Sequence, residues 1–174
     1  MKEIRAHLDR LAFNWAIVFV AAPLAILSAA WTFQYGFGYP PCELCLYQRY
    51  PYLLAAALSA IAVFTRKRPS LGRPGIARAL LVLIVSLMLL DAGIALYHVG
   101  VEQSWWQGPT ACTPSFSGAA TYEELRAAIL NAAPVRCDVP AWTLFGISMA
   151  GYNFLLALAL AVFGIYAWRR TQGP

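Results

Sequence analysis

The stretch PPCELCLYQRYPY, Pro40 to Tyr52, decides how this chain is read. Two cysteines, Cys42 and Cys45, stand one helical turn apart just ahead of an apolar run. A redox pair, half of a metal site and an inert pair of small residues each call for different surroundings.

Those surroundings are a membrane. Of the 174 residues, 60% are hydrophobic and only 12% charged, and the mean hydropathy is +0.59. Soluble domains sit nearer half apolar and a quarter charged. Four apolar segments approach the ~20 residues a spanning helix needs. They predict helices at about 13–33, 45–65, 76–97 and 142–168. The first is longer than the apolar core of a secretory signal, although LSAA at Leu27–Ala30 imitates a cleavage site. It is expected to remain as a helix. The net charge of +5 is a topology signal rather than a nucleic-acid footprint. Ten basic residues fall in the N-terminus, the 66–78 stretch and the C-terminus, against Arg49, Arg126 and Arg136 elsewhere. Cytoplasmic segments carry the basic excess. Both termini and the 66–75 loop are therefore expected inside, and loops 34–44 and 99–141 outside. All four cysteines then lie on or near the periplasmic side, where disulfides persist.

The depth of the cysteine pair follows from helix length. Residues 50–65 would reach only about 24 Å, short of a ~30 Å hydrocarbon core. Starting at Cys45 gives about 31 Å and draws the pair onto the first turn at the outer boundary. Pro40 and Pro41 fit just before that turn, and Pro51 is expected to kink the helix by removing a bond to Tyr47. A thiol at a helix N-terminus is favoured as thiolate, while Glu43 between the cysteines opposes this. Arg49 shares their face, about 6 Å deeper than Cys45. An arginine at that depth is either functional or snorkelling to the headgroups.

A CxxC alone also suits zinc. The other cysteines, Cys112 and Cys137, lie in a long connection with no second CxxC and no close histidine pair, so no metal site is expected. Local proximity favours the pairs Cys42–Cys45 and Cys112–Cys137 among the three possible pairings. Within the loop, Trp105 and Trp106 suit the interfacial belt. TYEE at Thr121–Glu124 opens a short interfacial helix, and GPTACTPSF around Cys112 reads as exposed chain. The fold class is thus an all-α membrane protein. It is a single four-transmembrane-helix bundle with a long extracytoplasmic loop carrying that short helix.

These residues resemble the DsbB family of bacterial disulfide bond formation proteins. CELCLYQR at Cys42–Arg49 is similar to the family's C-x-x-C-x-x-x-R pattern. GVEQSWWQGPTAC at Gly100–Cys112 and CDVPAWTLFGISMAGYN at Cys137–Asn153 look like its later segments. The resemblance implies a thiol oxidoreductase of the bacterial inner membrane. Such an enzyme reoxidises a periplasmic DsbA-like thioredoxin-fold protein and passes electrons to a quinone, ubiquinone or menaquinone. Cys112 would be attacked by the partner, with Cys137 as its disulfide mate. Cys42 and Cys45 would form the quinone-coupled pair, with Cys45 nearest the quinone and Arg49 polarising a ring carbonyl. His98 would help position or protonate it, or else simply sit at the headgroups. DsbA lies at roughly −120 mV, so reoxidising it demands a stronger electron sink than an ordinary dithiol. The chain has no haem-attachment, flavin or cluster motif.

Asp91, inside the third helix, has no role implied by the resemblance. One expectation pairs it with Arg49; the other hydrogen-bonds it, protonated, to a neighbouring helix. Asn153 is expected to act as interhelical glue. Two other functions compete. A vitamin K epoxide reductase-like quinone reductase shares the four-helix plan, but there the CxxC follows the loop cysteines, and here it precedes them. A non-enzymatic membrane protein would use its cysteines as structural disulfides or as a metal site.

Overall fold

A computed structural model describes residues 14–66, 74–109, 121–123, 126 and 135–170. The protein is mostly helical. Helix α1 (Trp15–Trp31) runs into a π-helical turn at Thr32–Gly36. A short helix α2 (Glu43–Tyr47) precedes α3 (Arg49–Arg66). Helix α4 spans Pro74–Glu102 and α5 spans Met149–Arg170. A two-stranded hairpin, β1 (Thr143–Leu144) and β2 (Ile147–Ser148), leads into α5. Among the described residues, three stretches are long and apolar enough to cross a membrane: Trp15–Gly36, Gly75–Glu102 and Met149–Arg170.

Three boundaries differ from the sequence expectation, each for a local reason. The second helix does not run unbroken from Cys45 with a kink at Pro51. It begins at Glu43, with Cys42 as its N-cap, and breaks at Gln48. The break places Pro51 in the first turn of α3, where a missing N–H leaves no hydrogen bond unmade. The third helix continues past Tyr97 to Glu102. Gly100 lets it pass beneath Trp106, whose indole would lie 2.0 Å from a Cβ at that position. The Trp106 indole N–H donates to the Tyr97 carbonyl at 2.8 Å, and its ring stacks on that of Tyr97. The last helix starts at Met149 rather than Trp142. Phe145 and Gly146, at φ of 51° and 78°, make the two-residue turn that twists a tight hairpin correctly. Ser148 then caps α5 by accepting the Gly151 N–H at 3.1 Å. The short helix expected to open at Thr121 lies largely outside the described residues.

The bundle is held by close helix approach. In lipid there is little hydrophobic drive between helices, so association depends on packing and interhelical hydrogen bonds. Helix α3 packs between α1 and α4, and α4 packs against α5. Along α5 the buried positions are all small: Ala150, Ala157, Ala161, Gly164 and Ala167. A Cβ on Gly164 would lie 2.4 Å from Val85 Cγ2 and 3.2 Å from Phe19 Cζ. Larger side chains from neighbouring helices, Phe19, Leu81, Ile84 and Met88, fill the space this stripe leaves.

Candidate functional site: a dithiol at the edge of an apolar cavity

Pro40 and Pro41 deliver the chain in extended form to Cys42, at φ −75° and ψ 171°, so its side chain turns back over α2. There the Cys42 sulfur accepts the Cys45 backbone N–H at 3.3 Å. The two Sγ atoms lie 2.8 Å apart as free thiols sharing a hydrogen bond. The Cys42 thiol is pulled down from its ordinary 9 to about 5. The largest cause is the Cys45 thiol donating to it; burial opposes, and the nearby His98 and the Cys45 N–H add to the lowering. Cys45 is pushed up in turn, because its proton is held by the Cys42 sulfur and because it is buried. One sulfur is thus a ready nucleophile and the other a protonated reserve.

Helix α4 brings His98 to this pair. His98 Nε2 lies 3.6 Å from Cys42 Sγ and 3.8 Å from Glu102 Oε1, and Ser148 donates to the other Glu102 oxygen. His98 Nδ1 faces Gln48 Nε2 at 3.0 Å. From Gln48 the contacts continue inward: Asn153 Nδ2 donates to Gln48 Oε1 at 2.9 Å and to Asp91 Oδ2 at 3.0 Å. The Tyr52 hydroxyl donates to Asn153 Oδ1 at 2.8 Å.

Beside the dithiol lies a cavity of about 380 Å³, walled by Ile26, Leu27, Phe33, Trp142, Leu144, Met149 and Leu156. Its polar groups are few: Cys42, Cys45, Gln48, Arg49, Tyr52, His98, Glu102, Arg136 and Asn153 reach it. Arg49 Nη1 donates to Gln34 Oε1 at 2.7 Å. The π-helical turn, a common device at functional sites, carries Gln34.

The structure therefore gathers Cys42, Cys45, Arg49 and His98 around one cavity. Cys137 is fully buried and packs with Cys42, Leu44 and Val101; it is disulfide-bonded. Arg136 grips both Asp138 oxygens across it. Cys112 lies outside the described residues. The expected pairing of Asp91 with Arg49 does not occur. Asp91 accepts from Asn153 instead, and Arg49 is held by Gln34. The structure has the interhelical hydrogen bond, and Asn153 is the glue. Gln48 and Glu102 were not singled out from the sequence. Gln48 could have been found by its place one residue before Arg49, and Glu102 by its helical spacing of four from His98.

These features define a multi-pass helical membrane protein that carries a dithiol beside an apolar cavity. The chain belongs to the DsbB family: the family model "Disulfide bond formation protein DsbB" matches residues 12–167. The "Disulfide bond formation protein B" of Methylococcus capsulatus is 29% identical over 167 residues, covering 94% of this chain and 96% of that protein. That of an Acidovorax species is 30% identical over 148 residues, covering 82% and 79%. "Uncharacterized protein RP370" of Rickettsia prowazekii is 28% identical over 149 residues, covering 84% and 82%. No solved structure matches the chain. Family membership implies disulfide bond formation by a membrane protein.

Proposed function

We propose that this protein is a four-span inner-membrane thiol oxidoreductase that reoxidises a periplasmic DsbA-like dithiol protein and delivers the electrons to a membrane quinone. Helix α3, packed between α1 and α4, is the fourth span. Both termini lie in the cytoplasm and the cysteines on the periplasmic side, in keeping with the basic excess at the termini. The observation that carries the proposal is the dithiol itself. Cys42 and Cys45 lie 2.8 Å apart, and both border an apolar cavity with Arg49 and His98.

In the first exchange, a partner thiolate attacks Cys112 of a Cys112–Cys137 disulfide, and Cys137 leaves as thiolate. The partner's second thiolate then displaces Cys112 and departs in a disulfide, having lost two electrons. The reduced loop pair next exchanges with a Cys42–Cys45 disulfide, leaving Cys42 and Cys45 as a dithiol. Cys137 packs in one cluster with Cys42, so this exchange needs little travel.

The cavity suits a quinone. Its volume lies in the range of small-ligand sites, and a few convergent polar groups interrupt apolar walls. A bound quinone supplies a sink for two electrons and two protons. Arg49 would hold a ring carbonyl by a charged hydrogen bond, and Cys45 and His98 would border the ring. Cys42 presents thiolate, Cys45 retains the proton to be released, and the apolar walls exclude water.

The test mixes purified protein with a reduced thioredoxin-like partner and a soluble quinone and follows quinone absorbance. Wild type consumes quinone, Cys45→Ala does not, and Cys137→Ser accumulates an intermolecular disulfide through Cys112. Absence of turnover in wild type would remove the proposal. A second reading, a metal-binding protein, draws on Cys42, Cys45 and His98, whose ligand atoms lie within 4.8 Å of one another. Stoichiometric zinc in the purified protein, with no turnover, would favour it.

A further inference from the structure

A chain of directed hydrogen bonds runs from the bundle interior to the dithiol. Its inner end is Asp91, fully buried, whose Oδ2 accepts from Asn153. The other Asn153 amide hydrogen goes to Gln48 Oε1, and Asn153 Oδ1 is filled by the Tyr52 hydroxyl. With both hydrogens and its oxygen engaged, the Asn153 amide cannot turn over without losing partners. Gln48 must then present its oxygen to Asn153 and its NH2 to His98 Nδ1. A ring nitrogen facing an NH2 group has to be bare. The proton of neutral His98 therefore sits on Nε2. That nitrogen faces the Cys42 sulfur and a Glu102 carboxylate oxygen, both able to accept, and the Cys137 backbone is a further partner of the ring.

We propose that Asp91 is a positioning residue. Acting through Asn153 and Gln48, it holds His98 with its proton on Nε2, so that the imidazole donates to the Cys42 sulfur and cannot ligate a metal there.

Asp91 sets the direction because the other links are ambivalent. Two amides and a phenol can each offer either a donor or an acceptor, whereas Asp91, when ionised, only accepts. Its demand for a donor is passed through two amides to the ring. The consequence concerns what the dithiol must avoid. Two thiols and an imidazole whose ligand atoms lie within 4.8 Å are the donor set that zinc selects. Binding requires a bare imidazole nitrogen facing the sulfurs. A proton fixed on that nitrogen keeps the reduced pair available for disulfide exchange.

The inference concerns the dithiol site of the proposed function, but its test uses neither partner nor quinone, so the two fail separately. Reduced full-length protein carrying His7→Gln is labelled with 15N-histidine, leaving His98 as the sole imidazole signal, and its tautomer is read by NMR. The expected form is Nε2–H. Asp91→Leu and Asn153→Leu should give a mixture. Gln48→Glu is isosteric and puts an acceptor opposite Nδ1, so it should move the proton to Nδ1. Zinc titrated into the reduced samples against a chromophoric chelator should bind about 10- to 100-fold more tightly to Gln48→Glu. Nδ1–H in the unsubstituted network would overturn the proposal, and that result needs no further variant to fold. So would Nε2–H persisting in Gln48→Glu, or zinc affinity unchanged by that substitution.

Discussion

The Arg49 guanidinium is tethered to the Gln34 carboxamide at 2.7 Å, a bond between the start of α3 and the π-helical turn after α1. It fixes a long cationic side chain at the cavity wall that would otherwise sample many rotamers. Gln34→Ala should leave the charge in place but loosen its position. A single hydrogen bond to a charged group contributes about 1.5–3 kcal/mol, so quinone KM is expected to rise roughly tenfold with kcat little changed. Arg49→Lys should do worse, because an ammonium cannot reproduce the planar fork. Steady-state kinetics with a water-soluble quinone would check both, and equal KM for wild type and Gln34→Ala would refute the tether.

The lowered Cys42 pKa sets a pH profile. The thiolate is the reactive form, so alkylation of the reduced protein should be fast and flat above about pH 5. It should fall about tenfold per unit below that, where the sulfur takes up a proton. Cys45 is held protonated and stays silent across the same range. Cys45→Ala removes the largest cause of the lowering and should move the midpoint upward. Rapid-quench alkylation with mass detection at Cys42 would measure this, and a wild-type midpoint near 9 would contradict it.

Asn153 satisfies three partners at once: Tyr52 on α3, Asp91 on α4 and Gln48 at the break before α3. Asn153→Leu strands them in the bundle interior, and an unmatched buried polar group costs about 1–3 kcal/mol. Lower stability is expected in reversible unfolding by an anionic detergent, with the helical spectrum retained beforehand.

Gly164 is a packing prediction of a different kind. Gly164→Ala puts a methyl against Val85 and Phe19, and overpacking of this sort costs about 1–3 kcal/mol. Val85→Ala should recover much of that loss, because Val85 is the nearest obstacle. A double-mutant cycle with no coupling would place the strain elsewhere.

Much of this arrangement was legible from the chain. Hydropathy alone gave the apolar helices; the spacing of Cys42, Cys45 and Arg49 put them on one helix face, and all three line one cavity although the helix breaks between them at Gln48. What stayed hidden were contacts between elements. Gln48 reads as an ordinary polar residue until Asn153, 105 positions later, is laid against it. Asp91 and Arg49 sit at similar depth in the sequence, which made a charge pair attractive. Depth does not specify direction around a helix axis, and Asp91 turns toward α5. The break at Gln48 was foreshadowed by Pro51, but a proline does not say whether a helix will bend or restart. The late start of α5 depended on Phe145 adopting a backbone conformation that a bulky residue seldom takes.

Helix α4 is 29 residues long, about 43 Å, well beyond the ~30 Å of a lipid interior. Its surplus works as a fixed mast. On the proposed topology, with His98 and Glu102 near its outer tip, the height of the sulfur pair over the acyl chains would be set by the helix and not by the surrounding lipid. In vesicles of progressively longer acyl chains, the rim should be submerged by degrees. If the protein acts as proposed, exchange with a water-soluble dithiol protein should then slow before reduction of a lipid-soluble quinone does.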